Sequence, residues 1–297
     1  SDVCSSDLKE NMNTKVRGRK DLENLSIPFI GEIPQYLSAK KKLGFDKHTQ
    51  SVMKAIVVKE GNRNIINEAF RVLRSNIDFM AGKDSGQNVF MLTSFNPGSG
   101  KSFLAMNIAM SFAIKKKRIL VIDGDLRHGS TSSYVDSPKT GLSDYLGNRV
   151  SDWKEIIVKD EKYDNLHIIP IGTVPPNPTE LLEDGKLATL IEVLRSEYDY
   201  IFIDCPPIDI VADAQIIEKL ADRTVFVVRS GLLDRSMLPE LENIYQEKRF
   251  KNLSVILNGT ESAGGRYGYR YGYRNGYSSY YGNKGKMGGV NGWSSSD

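Results

Sequence analysis

Five consecutive residues, Gly98-Ser-Gly-Lys-Ser102, bring together the groups that a phosphate chain needs. Glycine permits backbone conformations in which successive N–H groups aim at one point. Lys101 can reach the β- and γ-phosphates of a nucleotide, and the Ser102 hydroxyl can ligate Mg²⁺. Gly98, Ser99, Gly100, Lys101, Ser102 and Phe103 are therefore the expected nucleotide-binding positions. The loop departs from the GxxxxGK[ST] spacing at its first glycine, where Phe95 stands. Two further stretches end in carboxylates: Tyr200-Ile-Phe-Ile-Asp204, and Arg118-Ile-Leu-Val-Ile-Asp123 followed by Gly-Asp125-Leu-Arg127. One Asp at a strand end is commonly a turn former. Two such strands beside a phosphate loop instead suggest a ligand site at the carboxyl ends of a sheet. Asp204 suits a carboxylate that holds Mg²⁺ through a water.

The elements that must position these groups are legible around them. An apolar run at 89–93 feeds the loop, and a helix over 101–114 leaves it, adding the partial positive charge of its N-terminus. Further apolar runs at 119–123, 166–171, 200–204, 224–228 and 253–257 alternate with helical stretches near 143–158, 179–196, 212–221 and 234–248. Several runs are apolar at successive positions, as in parallel strands buried on both faces. The spacing predicts one α/β domain over 61–262, a doubly wound, mostly parallel sheet with helices on both faces. A helix is also expected over 64–80, with Ile65, Ala69, Val72, Leu73, Ile77 and Met80 on its apolar face. Asn177-Pro-Thr-Glu180 reads as a helix start closed by a capping box. Two apolar pieces at 27–33 and 55–58 are each a strand or an extended arm.

Composition narrows the class. The 297 residues carry 40 Lys+Arg and 37 Asp+Glu, a formal net charge of +3, which argues against a polyanion-coating protein. No run approaches the roughly 18 apolar residues of a membrane span. Two cysteines, Cys4 and Cys205, cannot build a disulfide framework, and three scattered histidines lack zinc-ligand spacing. The opening SDVCSSDL reads as a non-native lead-in. Lys40-Lys-Lys42 is a solvated run or a contact for an anionic membrane surface. After Ala263 the chain becomes a Gly/Tyr/Arg polymer, for which disorder is the default expectation. Its tyrosines, Tyr267, Tyr269, Tyr271, Tyr273, Tyr277, Tyr280 and Tyr281, fit phosphoacceptors, a stacking surface for single-stranded nucleic acid, or a solubilising tail.

Taken together, NPGSGKS at 96–102, ILVIDGDLR at 119–127, PPNPTELL at 175–182, IFIDCPP at 201–207, EAFRVLR at 68–74 and the tyrosine-rich end resemble the bacterial tyrosine kinases (BY-kinases) of capsule and exopolysaccharide export. The resemblance implies a P-loop NTPase fold and an ATP- and Mg²⁺-dependent protein-tyrosine kinase that phosphorylates its own tail, making the phosphoacceptor reading the favoured one over nucleic acid. It implies that Lys101 assists transfer, that Asp123 receives or orients the tyrosine hydroxyl, and that Ser102, Asp125 and Asp204 serve the metal. Asn258 matches an adenine-contacting position in related ATPases, or is a turn residue before Gly259. Glu68, Arg71 and Arg74 match an oligomerisation motif, or form a solvated helix face. The resemblance further implies a homo-oligomeric ring, with an octamer among the options, and a cognate tyrosine phosphatase. The stretch at 17–34 resembles a segment behind a membrane-spanning polysaccharide co-polymerase region, which would place residues 1–60 as an arm at the cytoplasmic face of the inner membrane and the fragment itself in solution. The alternative class is a partitioning or positioning ATPase of the ParA/MinD type. Those proteins carry a second lysine near the start of the loop, where Asn96 stands, and lack a tyrosine tail.

Overall fold

The computed structural model describes residues 14–36, 55–82, 86–208 and 212–261. Its centre is an eight-stranded sheet: β1 (Phe29–Pro34), β2 (Val89–Thr93), β3 (Ile119–Asp123), β4 (Val158–Lys159), β5 (Leu166–Ile169), β6 (Tyr200–Asp204), β7 (Arg223–Arg229) and β8 (Leu253–Thr260). The order is β1-β8-β7-β2-β6-β3-β5-β4, with every pairing parallel except β4 against β5. β2, β3 and β6 are buried at every residue, because both faces are covered.

Alternation within these strands divides the core. Phe90, Leu92, Val121 and Phe202 pack with α1 (Ile65–Ala81) and α2 (Lys101–Ala113) on one face. Met91, Leu120, Ile122 and Ile203 face α3 (Leu142–Leu146), α4 (Pro178–Glu183), α5 (Lys186–Glu197), α6 (Asp213–Glu218) and α7 (Leu238–Gln246) on the other. α2 is apolar on all sides because it lies under both the sheet and α1; only Ser102 among its residues escapes burial.

Four expectations are corrected. The stretch 143–158 is a short α3, ended where Asn148 adopts φ +58°, followed by a 3₁₀ turn and the edge strand β4. The helix expected over 179–196 breaks at Gly185, φ +83°, into α4 and α5. At the start of α4, Asn177 does not cap the backbone; its amide donates to the Glu180 carboxylate at 2.9 Å. The buried face of α1 runs through Ile66, Phe70, Leu73, Ile77 and Ala81, so Ile65 and Val72 point outward. Of the two N-terminal apolar pieces, the first supplies β1. The second, Ala55–Val58, joins no strand; its polar backbone groups are bonded by the amides of Asn67 and Asn107. The tyrosine cluster lies outside the described residues.

Candidate active site

The loop between β2 and α2 is anchored at both ends. Phe95, which replaces the first glycine, is buried edge-on against Phe226 with ring centroids 4.9 Å apart. Ser94 and Ser99 each donate a hydroxyl to the Asn96 carbonyl, at 2.8 and 2.7 Å. Gly98 and Gly100 adopt φ +75° and +92°, where a side chain is strained. A Cβ on Gly100 would also overlap the Asn258 amide nitrogen, which donates to the Ser99 carbonyl at 2.9 Å. Asn258 lies within β8 and braces the loop directly. Phe103 turns its ring into the core against Phe70, leaving only its backbone N–H for a ligand.

The carboxylates converge at the ends of β3 and β6, where Asp123 and Asp204 are register partners. Both are buried. Asp204 Oδ2 accepts hydrogen bonds from the Ser102 hydroxyl and from Thr131 Oγ1, the latter at 2.8 Å. Asp123 Oδ2 accepts from the backbone N–H and the hydroxyl of Ser132, both at 2.7 Å. The second oxygen of each, Oδ1, is buried without a hydrogen-bond partner. Burial first, and then the charge of Asp204, pushes the Asp123 pKa up to about 8. Burial also raises that of Asp204, while Lys101, Ser102 and Thr131 pull it down. The Lys101 pKa is lowered by burial and supported by Asp204 and Asp125; its Nζ donates to Ser94 Oγ at 3.3 Å. Asp125 meets His128 Nδ1 at 3.1 Å.

Two orphaned carboxylate oxygens beside a lysine and a serine hydroxyl are a donor set that fits a hydrated divalent cation on a nucleotide. Among the described residues no cluster of three His, Cys, Asp or Glu could hold a metal, so the phosphates would have to complete its shell. The residues present fit that arrangement: Ser102, Asp204 and Asp125 for the cation, loop amides and Lys101 for the phosphates.

Sequence reasoning missed Thr131 and Ser132, which hold the two carboxylates; the polar run after Asp125 was the available signal. It also missed a three-way link beside Asp125. Arg127 Nε donates to the buried Asp213 at 3.3 Å, Thr179 Oγ1 donates to the other Asp213 oxygen at 2.7 Å, and Arg127 Nη2 donates to Thr179 at 3.0 Å. Thr179 lies in the PPNPTELL stretch, so that motif braces the loop carrying Asp125. Glu68, Arg71 and Arg74 do not join the site. Arg71 pairs with Glu68 and donates to the Asn62 carbonyl, and Arg74 reaches the Ser111 carbonyl at 2.9 Å.

An AAA domain family model matches residues 87–232. A putative tyrosine-protein kinase, CapB of Staphylococcus aureus, is 32% identical over 210 residues, 70% of this chain and 91% of that protein. A putative tyrosine-protein kinase in the cps region of Klebsiella pneumoniae is 34% identical, over 82% of this chain but only 33% of its own length. Among solved structures, the kinase domain of the Escherichia coli tyrosine kinase ETK superposes with a TM-score of 0.71 at 28% identity, covering 86% of this chain and all of that one. The chimerical protein CapA2B2 gives 0.70 at 30%, covering 82% and 100%. The P-loop, the paired carboxylate strands and these relatives agree, and the chain belongs to the family of bacterial tyrosine-protein kinases.

Proposed function

We propose that this chain is an ATP- and Mg²⁺-dependent autokinase that transfers the γ-phosphoryl group of ATP to the tyrosines of its own C-terminal cluster, Tyr267 to Tyr281. The observation that carries this is the buried pair of orphaned carboxylate oxygens on Asp123 and Asp204, whose strands end side by side where Ser102 of the phosphate loop bonds Asp204. Bound Mg²⁺ would supply charge neutralisation on the phosphates, held by Ser102, Asp125 and Asp204. Lys101 and the loop N–H groups orient the phosphates and stabilise the charge that shifts onto the departing ADP oxygen. The tyrosine oxygen forms the new P–O bond as the bond to ADP breaks, and its proton passes to Asp123. A phenol titrates near pH 10, so an ionised carboxylate helps align the hydroxyl and accept its proton; burial and the charge of Asp204 raise the Asp123 pKa to about 8, so its acceptor form is favoured by rising pH and by a cation bound beside it.

The transfer runs from one subunit to the C-terminal tyrosines of a neighbour within a ring. Support for a subunit contact at α1 is its exposed stripe of Ile65, Val72 and Phe79, seven residues apart and 60%, 48% and 88% exposed, alongside Glu68, Arg71 and Arg74. No described helix is long and apolar enough to cross a membrane. The setting we propose is the cytoplasmic face of the inner membrane, beside a polysaccharide co-polymerase region and a cognate phosphatase, with phosphorylation regulating polysaccharide polymerisation and export. Incubation with Mg²⁺-ATP followed by anti-phosphotyrosine detection tests the reaction. Signal in the parent chain and none in Lys101→Met is expected. ATP turnover without phosphotyrosine would instead favour a positioning ATPase.

A further inference from the structure

The two sides of the phosphate loop are not equally occupied. β6 and β3, on one side of β2, carry the carboxylates; on the other side β7 ends in Arg229 and β8 carries Asn258, its register partner, two residues before its end. β7 and β8 flank the loop on the side away from the carboxylates, the side left for the base if the terminal phosphates lie beside Ser102 and Asp204. There the Arg229 guanidinium packs face-on against Gly259: a Cβ on that glycine would lie 3.4 Å from Cζ and 3.6 Å from both terminal nitrogens. Its Nη1 stands 3.5 Å from the position a Gly100 Cβ would take. The side chain is half-buried, and no carboxylate among the described residues pairs with it, unlike Arg127 or Arg195. Burial alone acts on its pKa, lowering it. A partly desolvated guanidinium that stacks one face on backbone and pairs with no acid among the described residues is suited to an aromatic ring.

We propose that Arg229 is the base-side clamp of the nucleotide site, stacking its guanidinium on the nucleobase while Asn258 braces the loop beneath. The inference rests on the nucleotide-binding reading of that loop. The test is calorimetric titration of the full chain with ADP. Arg229→Ala should bind ADP about tenfold more weakly, the range of a half-buried cation–π contact. Arg229→Lys, which keeps the charge but loses the planar face, should also bind more weakly than the parent. Unchanged ADP affinity in Arg229→Ala overturns the proposal, and so does full affinity in Arg229→Lys, which would make the residue a point charge for phosphate. If Arg229→Ala melts early, Arg229→Lys decides alone. Failure of the parent chain to bind ADP would overturn the nucleotide reading itself, a distinct result.

Discussion

β6 and β3 end in carboxylates that no group among the described residues fully satisfies, whereas β7 ends in a cation and β8 carries an amide beside it. The first side keeps two buried carboxylate oxygens without partners. The second binds its amide to the Ser99 carbonyl and leaves a guanidinium without an acid among the described residues. A sheet that folds with both defects stores them where a charged ligand would relieve them. The difference supports the division of labour we propose, in which the acidic side would govern what happens to the phosphoryl group and the basic side how tightly the nucleotide is held.

Substitutions can break that division. The largest expected effect is at Asp123. Asp123→Asn should lower turnover by about 10²–10⁴-fold, the usual weight of a general base, with ADP affinity near that of the parent. Steady-state rates and titration read the two separately; an equal loss in both would contradict the division. The same variant should be more stable than the parent without Mg²⁺. The folded chain holds on Asp123 a proton that the unfolded chain releases, between the ordinary 3.8 and about 8. Stability therefore falls as pH rises through that window. Thermal melts should show Asp123→Asn gaining more over the parent at pH 8 than at pH 5.

Lys101→Met comes next, with transfer expected to fall about 10²–10³-fold as one charge-stabilising donor is removed. Gly100→Ala acts on the other side. Its φ of +92° and the overlap with Asn258 should cost about 1–2 kcal/mol of stability and weaken ADP binding. Smaller still, Arg127→Ala leaves Asp213 buried with Thr179 as its remaining side-chain partner. A loss of about 1–3 kcal/mol in chemical denaturation is expected, with ADP affinity little changed.

Much of this site was readable from residue order. β2, β3 and β6 were predictable to the residue, because runs buried on both faces are apolar without interruption and end abruptly at Thr93, Asp123 and Asp204. Lys101, Ser102 and Asp204 meet where the phosphate-loop spacing places them. What escaped depended on contacts between distant segments. Thr131 and Ser132 become important only when β3 and β6 are adjacent. Arg127 gains meaning from Asp213, 86 residues away. The two-residue β4 has no period to detect, and the face of α1 was set about one position off because Ile65 and Val72 are apolar yet exposed.

The account turns on whether this site phosphorylates the C-terminal tyrosines. Parent chain and an isotope-labelled Lys101→Met chain, mixed with Mg²⁺-ATP and resolved by intact-mass and fragment analysis, test that claim most directly. Both tails should gain mass in steps of about 80 Da, one HPO₃ each, mapped between Tyr267 and Tyr281. Lys101→Met incubated alone should gain none in the time that modifies the parent. A parent tail that stays unmodified while ATP is consumed, or a Lys101→Met tail that is modified alone, would contradict the account.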